Sequence, residues 1–416
     1  MRPTIAMTGT LRRPTGRGFA RGAAAAALAG CVAAPMATGA AAALDTAAAP
    51  VALPSLASVS CTSARNCMAV GSFLGRTASF TLAETWNGTA WTVVPSPTPN
   101  LASGGAALDS VSCASSTSCI AVGLSFTSKN SQVTRPLAES WNGTKWVLVP
   151  TAKLASAAAS LNGVACTSPS NCMAVGSAGT AKDGSMFTLA ESWNGTAWRF
   201  VSTPAPPAPG DTALSSVSCT APASCMAAGY DGYNSKTGAQ VTLAETWNGT
   251  KWRILATQTP GSSGTLNGVA CSAASACLAV GGHRHSGTFI LNATLSEQWN
   301  GHTWRVRSSP NPPNANFAGF DGISCTGPAA CMATGFASGE EGESGITLAE
   351  SWNGTSWRLL KAPSPGSSSD ELLGVSCTSS SSCMAVGDFE NAGPQFTLAE
   401  AWDGTHWRVV KTPHPS

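Results

Sequence analysis

The chain has 416 residues, with 43 Gly, 26 Pro and 14 Trp but only 2 Tyr, and 11% of its residues are charged. This length fits several ordinary domains or one large repeat array, and a polar fraction made of Ser, Thr, Asn and Gly favours strands and turns over helices. Five of the 23 basic residues are leader arginines. Without them 18 basic residues face 21 acidic ones, a net charge of −3. A near-neutral body without a basic cluster argues against nucleic acid as a partner.

The first 45 residues have the pattern of an export signal. A basic segment ends at Arg21, and an alanine-rich apolar stretch follows to about residue 43. One processing route is cleavage after a small residue near residues 40–43. The other is cleavage before Cys31, because Leu28-Ala29-Gly30-Cys31 fits the pattern of lipidated bacterial lipoproteins. With residues 46–53 as a linker, we expect a secreted, extracellular protein that contacts a membrane only if Cys31 is lipidated.

The cysteines indicate an oxidising compartment independently. One of the 15 lies in the leader, and the other 14 form seven pairs with five residues between the partners. An even count at one fixed spacing predicts a disulfide framework, whereas metal binding would need shorter spacings and recurring histidines. The predicted disulfides are Cys61–Cys67, Cys113–Cys119, Cys166–Cys172, Cys219–Cys225, Cys271–Cys277, Cys325–Cys331 and Cys377–Cys383.

Internal repetition organises the rest of the chain. Seven units of about 53 residues cover residues 54–416, and each carries a near-copy of the phrase LAESWNGTAW. In the third unit, LNGVACTS predicts a first strand and CMAVGS a second. After a variable loop, FTLAESW predicts a third strand with alternating polarity. Asn194-Gly195 is typical of a two-residue type I′ turn, and AWRFVSTP predicts a fourth strand.

Each unit is therefore predicted to be a four-stranded antiparallel meander. Such a sheet leaves apolar side chains on both faces, so the units must stack. A radial arrangement of seven units makes an all-β, seven-bladed β-propeller with one hairpin disulfide per blade. A linear β-solenoid is the alternative, and it is disfavoured because neither terminal unit looks like a polar cap.

The pattern resembles the repeat of kelch and galactose-oxidase-like propellers. The kelch repeat has an apolar second strand ending in glycines, an aromatic-acid pair on the third strand and a tryptophan that starts the fourth. Here Met173-Ala174-Val175-Gly176, Trp193-Asn194 and Trp198 hold those places. Most units have one glycine where kelch has two, tryptophan replaces tyrosine, and the cysteine pair is extra. The resemblance implies the architecture but no function, because such rings host both enzymes and binding proteins.

Two residue types recur in every unit. The two tryptophans of each unit are interpreted as packing between blades; the alternative is a platform for sugar stacking. The recurring glutamate is interpreted as a buried structural group, with indole N–H groups on its own face as candidate donors and its partner otherwise open. A sevenfold set argues against one catalytic pair. The glutamates are Glu84, Glu139, Glu191, Glu245, Glu297, Glu350 and Glu400.

The variable loops are the candidate binding surface. The loops between the second and third strands and the inter-unit connections share one face of the ring and differ between units, and variable loops on a rigid scaffold often recognise ligands. Two histidines without a third ligand do not predict a metal site, and no cofactor is expected. The candidate ligand-binding residues are Tyr230, Asp231, Tyr233, His283, Arg284, His285, Glu341, Asp388 and Glu390.

We therefore predict a secreted, non-catalytic recognition scaffold, monomeric, that binds a protein or a glycan through the variable face. The alternative is an extracellular carbohydrate-active hydrolase or lyase, which needs an acid–base constellation that the sequence does not display. A chiefly structural protein of the cell envelope is the third hypothesis. No catalytic residue is assigned.

Overall fold

The computed structural model describes residues 53–75, 78–99, 104–126, 133–154, 158–179, 185–208, 210–234, 237–284, 293–339 and 344–413. Every regular element in these ranges is a β-strand. The 28 strands form seven four-stranded antiparallel sheets, each in sequence order. No helix in these ranges has the length and apolar character to cross a membrane. The predicted export leader lies outside the described residues.

Each blade contains four strands, of which the fourth is the shortest. The first strands are β1 Ser55–Ser63, β5 Gly105–Ser115, β9 Ala159–Ser168, β13 Asp211–Ala221, β17 Ser263–Ala273, β21 Phe317–Gly327 and β25 Ser369–Ser379. The second strands are β2 Asn66–Leu74, β6 Ser118–Phe126, β10 Asn171–Gly179, β14 Ser224–Asn234, β18 Ala276–Arg284, β22 Ala330–Ser338 and β26 Ser382–Glu390. The third strands are β3 Ser79–Trp86, β7 Thr134–Trp141, β11 Met186–Trp193, β15 Ala239–Trp247, β19 Ala293–Trp299, β23 Ile346–Trp352 and β27 Gln395–Trp402. The fourth strands are β4 Trp91–Val93, β8 Trp146–Leu148, β12 Trp198–Val201, β16 Trp252–Leu255, β20 Trp304–Val306, β24 Trp357–Leu360 and β28 Trp407–Val409.

The blades form a closed ring. The first strand of each blade packs against the first strand of the next, and β25 of the last blade packs against β1 of the first. At this junction the Cys61 amide donates to Ser376 Oγ at 2.9 Å, and Gln395 Nε2 donates to the Pro54 carbonyl at 3.3 Å. Every blade is one continuous repeat, so the ring closes through packing and hydrogen bonds between blades 7 and 1, without an exchanged strand. The predicted seven-bladed propeller is confirmed.

Seven apolar clusters hold neighbouring blades together. In the cluster between blades 2 and 3, Ile120, Val122 and Ala138 face Leu189 and Trp198. The closing cluster uses the equivalent positions: Met384, Val386 and Ala399 of blade 7 face Leu56, Leu82, Trp86 and Trp91 of blade 1. Because all junctions bury the same positions, neither terminal blade needs a polar cap, which explains why the sequence shows none.

The tryptophan phrase forms a hairpin with a four-residue loop. Trp193 and Trp198 are directly opposite each other across β11 and β12, and the paired indoles of the seven blades have centroids 5.5 to 5.8 Å apart. The Asn194 side-chain oxygen accepts from the Thr196 and Ala197 amides at 3.0 and 2.9 Å. Within the loop of residues 194–197, Gly195 alone has a positive φ, +93°. The predicted two-residue type I′ turn is therefore wrong. Such a turn would need a positive φ at Asn194 as well, whereas here the Asn194 side chain caps a four-residue loop and its own φ is not positive.

All seven predicted disulfides are present. Each joins directly opposed residues of the first and second strands, as in the pair Cys166 and Cys172. The first tryptophan of each blade packs over this region, and Trp193 Nε1 donates to the Pro169 carbonyl in the disulfide loop at 3.1 Å. The two hairpins of a blade are thus tied together at one face of the ring.

Candidate functional site

The two faces of the ring differ in how strongly the repeats vary. The disulfide loops and the Asn-Gly loops lie on one face, here called the disulfide face, and have nearly the same sequence in every blade. The opposite face, here called the variable face, carries the loops between second and third strands and the inter-blade connections. These segments differ in length and composition from blade to blade. A constant scaffold with one divergent face places the candidate site on the variable face and around the axis.

A ring of seven side chains surrounds the axis. Each first strand contains a β-bulge one residue after its buried leucine or phenylalanine. A bulge leaves one residue without a partner on the neighbouring strand and redirects its side chain. The seven bulged residues line an axial cavity of about 100 Å³ and form what we term the axial ring: Ala57, Asp109, Asn162, Ser215, Asn267, Asp321 and Leu373.

A glycine on each second strand makes the bulge possible. A Cβ on Gly176 would overlap the carbonyl oxygen of Ser160, which the bulge pushes toward the second strand. The equivalent glycine of every other blade stands against the same carbonyl position: Gly71, Gly123, Gly229, Gly281, Gly335 and Gly387. The repeated glycine is therefore required by close approach of backbone, and through the bulge it positions the axial ring.

Axial-ring residues also join neighbouring blades. Asn162 Nδ2 donates to the Leu214 carbonyl of the next blade at 3.0 Å, and Asn162 Oδ1 accepts from Ser160 Oγ at 2.9 Å. Asn267 makes the equivalent bond to the Phe320 carbonyl at 2.9 Å. In blades 3 and 5 the axial-ring residue is thus an asparagine that joins two blades by a hydrogen bond. In the other blades the ring carries alanine, aspartate, serine or leucine.

The sequence prediction missed the axial ring. Its signal was present, because the residue directly after the buried leucine or phenylalanine of the first strand varies between blades, while the residues around it hardly change. Regular alternation would have pointed that residue into a blade interface. The bulge, which alternation does not reveal, turns it toward the axis.

The predicted tyrosine cluster belongs to blade 4. Tyr230 is buried and its ring meets that of Tyr233 edge-on, with centroids 6.2 Å apart. Burial, with the nearby Asp211 carboxylate, raises the pKa of Tyr230 to about 12. Asp231 is also buried; its Oδ2 accepts from the Ala208 amide at 3.1 Å, and burial raises its pKa. Of these three residues, Tyr233 is the one that keeps partial exposure on the variable face.

His283 and Arg284 end the second strand of blade 5. Arg284 is buried and donates to the main-chain carbonyls of Thr237 and Gly238 in blade 4, at 3.1 and 3.0 Å. Arg284 therefore ties the variable loop of one blade to the next blade. His283 is partly exposed beside it. His285 and Glu341 lie outside the described residues.

Asp388 and Glu390 lie at the junction of blades 7 and 1. Burial raises the pKa of Asp388 to about 7, and the negative charges of Glu371 and Glu390 add to the effect, whereas the Ser55 hydroxyl opposes it. Among the predicted site residues, those of blade 4 and those of blade 5 therefore lie on neighbouring blades. Asp388 and Glu390 are separated from them by intervening blades.

The seven recurring glutamates are buried in the ring, and some of them join neighbouring blades. All are fully buried, and four accept bonds from the segment that leaves the preceding blade. Ser96 Oγ donates to Glu139 and the Ala152 amide to Glu191, at 2.8 and 2.9 Å. The Gln258 amide donates to Glu297 and Ser309 Oγ to Glu350, at 3.0 and 2.8 Å. The prediction that indole N–H groups on the same face donate to these glutamates is wrong. The donors lie instead in the segment that follows the fourth strand of the preceding blade.

Burial sets the protonation of these glutamates. It raises the pKa of Glu139, Glu191 and Glu297 to about 7, with the hydrogen bonds partly opposing the shift. It raises the pKa of Glu84, Glu245, Glu350 and Glu400 to about 8. These carboxyls are enclosed between blades and do not line the axial cavity, so their perturbed pKa values indicate structural burial.

A second cavity opens on the variable face between blades 2 and 3. Its volume is about 370 Å³, and Arg135 and Lys153 line it together with Thr151 and Leu154. Two cations at one junction favour an anionic group there. The described residues contain no cluster of three His, Cys, Asp or Glu side chains that could hold a metal ion.

Comparison with known proteins shows the fold. No protein-family model and no curated protein sequence matches the chain. Among solved structures, it is similar to an ulvan lyase of polysaccharide lyase family 25, with a TM-score of 0.54 at 8% identity over 87% of this chain and 96% of the lyase. It is also similar to the β-propeller domain of the trilobed protease from Pyrococcus furiosus, which has an open velcro topology, with a TM-score of 0.50 at 8% identity over 88% of this chain and 100% of the domain. YCF48 bound to D1 peptide has a TM-score of 0.46 at 13% identity over 88% of this chain and 96% of that chain.

The ulvan lyase and the protease domain support the class of β-propeller that the seven sheets define, and they show nothing beyond the fold. At such identities only the fold is shared, and the propellers found serve different activities. The architecture implied by the kelch resemblance is shown, whereas membership of the kelch family is not. The seven disulfides indicate an extracellular or otherwise oxidising environment.

Proposed function

We propose that the protein is a secreted, non-catalytic recognition scaffold that binds a protein or glycan ligand on the variable face around the axis. One observation carries this proposal: the blades are nearly identical where they build the ring and different where they face the axis and the variable face. Besides the axial ring, the residue after the second-strand glycine also varies between blades, and it is partly exposed in blades 1 and 6, where it is Ser72 and Phe336.

Divergence confined to such positions supports recognition over a purely structural role. A scaffold that only fills space has no physical reason to vary polar, aromatic and acidic side chains at equivalent sites while keeping every packing residue. A ligand that spans several blades meets a different chemical group at each one. The cations at the junction of blades 2 and 3 and the acidic groups of blade 7 supply both signs of charge.

Export is part of the proposal. The disulfides and the leader of residues 1–45 both fit secretion, and lipidation of Cys31 would retain the protein at the cell envelope. Mass spectrometry of the mature N-terminus tests this part. A free N-terminus near residues 41–44 supports secretion, and a lipid on Cys31 supports anchoring.

Binding is tested with two matched triple variants of the full chain. The variable-face variant combines Lys153→Ala, Tyr233→Ala and Glu390→Ala, which alter three blades. The disulfide-face control combines Lys145→Ala, Lys251→Ala and His302→Ala, all in exposed loop positions. Probes are an array of neutral and acidic polysaccharides and a displayed peptide library.

The proposal predicts that the wild type captures at least one probe class and that the variable-face variant weakens this capture by about tenfold or more, while the control keeps it. Equal losses in the two variants would contradict a variable-face site. No capture on either array would favour the structural role. Product release from a polyuronate or glycan panel would favour the hydrolase or lyase alternative.

A further inference from the structure

A groove on the disulfide face, between blades 6 and 7, is a candidate for a second binding site. Its volume is about 470 Å³, larger than the axial cavity or the cavity between blades 2 and 3. It is lined by Trp402 and Arg358 and by the hydroxyls of Ser351, Ser379, Ser380 and Thr405. It lies on the face opposite to the proposed recognition surface and is independent of it.

The aromatic wall of the groove is fixed in place. Trp402 Nε1 donates to the Ser380 carbonyl at 3.1 Å, and its ring packs beside Trp407, with centroids 5.7 Å apart. Part of the Trp402 indole nevertheless stays exposed. A rigid, partly exposed indole is a flat apolar surface that costs little conformational entropy when a ligand ring stacks on it.

The cation of the groove has no counter-charge among the described residues. Arg358 is exposed, sits opposite Ser351 on the neighbouring strand, and makes no ion pair within the described ranges. No aspartate or glutamate lines the groove. By contrast, Arg408, the equivalent residue of blade 7, lies 3.9 Å from the Asp403 carboxylate. The Arg358 guanidinium is therefore available to an external anion in planar, two-point geometry.

We propose that this groove binds an anionic saccharide. The Trp402 indole takes the apolar C–H face of a pyranose ring, Arg358 takes its carboxylate or sulfate group, and the serine and threonine hydroxyls bond to the sugar hydroxyls. A neutral sugar leaves the guanidinium without a partner. A small anion without a ring leaves the indole uncovered. The combination of both walls defines the ligand class.

The same pair of residue types recurs at two other junctions. At each of these junctions a blade that carries the arginine is followed by a blade whose first tryptophan is partly exposed, so the proposal extends to Arg199 with Trp247 and to Arg253 with Trp299. The first two blades have Thr92 and Val147 in place of the arginine, and the tryptophans that follow them, Trp141 and Trp193, are buried. Three sites on one rigid ring would bind a polymer multivalently.

Calorimetric titration of the full chain with short oligosaccharides tests the proposal. Three probes are used: a galacturonate trimer, a sulfated trimer of equal charge and a neutral galactose trimer. We expect the wild type to bind three anionic trimers per chain, with either acid group, and the neutral trimer at least about tenfold more weakly, the loss of a charged contact.

Arg358→Gln should reduce the stoichiometry by one. The matched control, Arg408→Gln, removes the same charge where it is already paired and should leave stoichiometry and affinity unchanged. Trp402→Phe keeps an aromatic ring over the disulfide loop and should weaken binding at that groove only. Circular dichroism of each variant checks the fold.

Several results would overturn the proposal. They are failure of the wild type to bind either anionic trimer, equal affinity for the neutral trimer, or the same effect of Arg358→Gln and Arg408→Gln. A wild-type stoichiometry of one that Arg358→Gln abolishes supports the groove and contradicts its repetition. The variable-face triple variant should bind the trimers like the wild type, which separates this site from the proposed function.

Discussion

At the scale of single residues, the glutamate of the tryptophan phrase shows how burial between blades sets chemistry. Glu84 at the closing junction is fully buried, and neither carboxylate oxygen has a hydrogen-bond partner within the described residues. Glu139 at the next junction accepts a bond from Ser96, and its pKa is raised less, to about 7 compared with about 8 for Glu84. The protonated form is therefore the one that suits these sites.

These shifts predict that the protein is most stable in acid. Between pH 4.5, the usual pKa, and about 8, the folded state keeps a proton on Glu84 that the unfolded chain has lost. The contribution of this proton to the free energy of unfolding is thus fully present below the pKa of the unfolded state and is lost as pH rises through the pKa of the folded state. We expect the Tm to fall between pH 5 and pH 9, and Glu84→Gln to reduce this slope.

Asp403→Asn is the control for this experiment. Hydrogen bonds from the Thr405 hydroxyl and the His406 amide hold the pKa of this exposed carboxyl below its usual range, so it stays ionised from pH 5 to pH 9. The substitution removes one negative charge and should leave the slope as in the wild type. A Tm that rises with pH would contradict the burial argument.

The second tryptophan of each blade shows a similar dependence on its neighbour. In six blades its indole N–H has no partner within the described residues. In blade 6, Trp357 Nε1 donates to Ser296 Oγ of blade 5 at 2.9 Å. The other blades have alanine at the position of Ser296, such as Ala138 opposite Trp198. A single methyl-to-hydroxymethyl difference thus decides whether a buried donor is satisfied.

At the scale of the element, the blade hairpin is organised by a glycine, a bulge and a disulfide. The glycine lets the first strand bulge toward the second, and the bulge turns one side chain to the axis. The disulfide then fixes the register at the far end of the same hairpin. Each device is local, so every blade repeats it.

Substitution of the glycine tests this arrangement. Gly176→Ala would press a methyl group into the Ser160 carbonyl, where both partners are backbone and neither can rotate away. We expect a loss of about 3 kcal/mol in the free energy of unfolding, the upper part of the range for overpacking. Urea denaturation measures it.

Gly327→Ala is the matched control. No heavy atom lies within 4 Å of the added methyl group, and φ is not positive at this position. The substitution should change stability by less than about 0.5 kcal/mol. Equal effects at the two glycines would show that the bulge does not depend on close approach.

At the scale of the molecule, the ring is closed by an interface like the other six. Met384 and Val386 pack on Leu56 and Leu82 as their counterparts do elsewhere. Ser376 Oγ accepts from the Cys61 amide as Ser112 Oγ does from the Cys166 amide. No strand crosses the closing junction, so the ring does not depend on strand exchange between blades 7 and 1.

Circular permutation tests this equivalence. A chain that begins with blade 2 and joins residue 413 to residue 53 through a linker of about four residues should keep the fold, because the connection between β28 and β1 then matches the native connections between the other blades in length. We expect a Tm within about 5 °C of the wild type and one cooperative transition. Separate unfolding of blades 1 and 7 would show that the native chain ends stabilise the ring.

The sequence by itself determined the all-β class, the seven units, the four strands of each blade and all seven disulfides. These features follow from short-range patterns, such as alternating polarity in FTLAESW and the constant spacing of Cys166 and Cys172. A repeat of about 53 residues also required stacking, because one sheet cannot bury both its faces.

Only the tertiary structure decided what depends on contacts between blades. The donor to Glu191 is the Ala152 amide, 39 positions earlier, and Tyr230 and Arg284 turned out to be buried at blade junctions. The axial ring arises from a bulge that strict alternation does not show, and the groove beside Trp402 exists only where two blades meet. Local patterns specify each sheet, but side chains at the blade junctions acquire their partners only when neighbouring blades pack together in the ring.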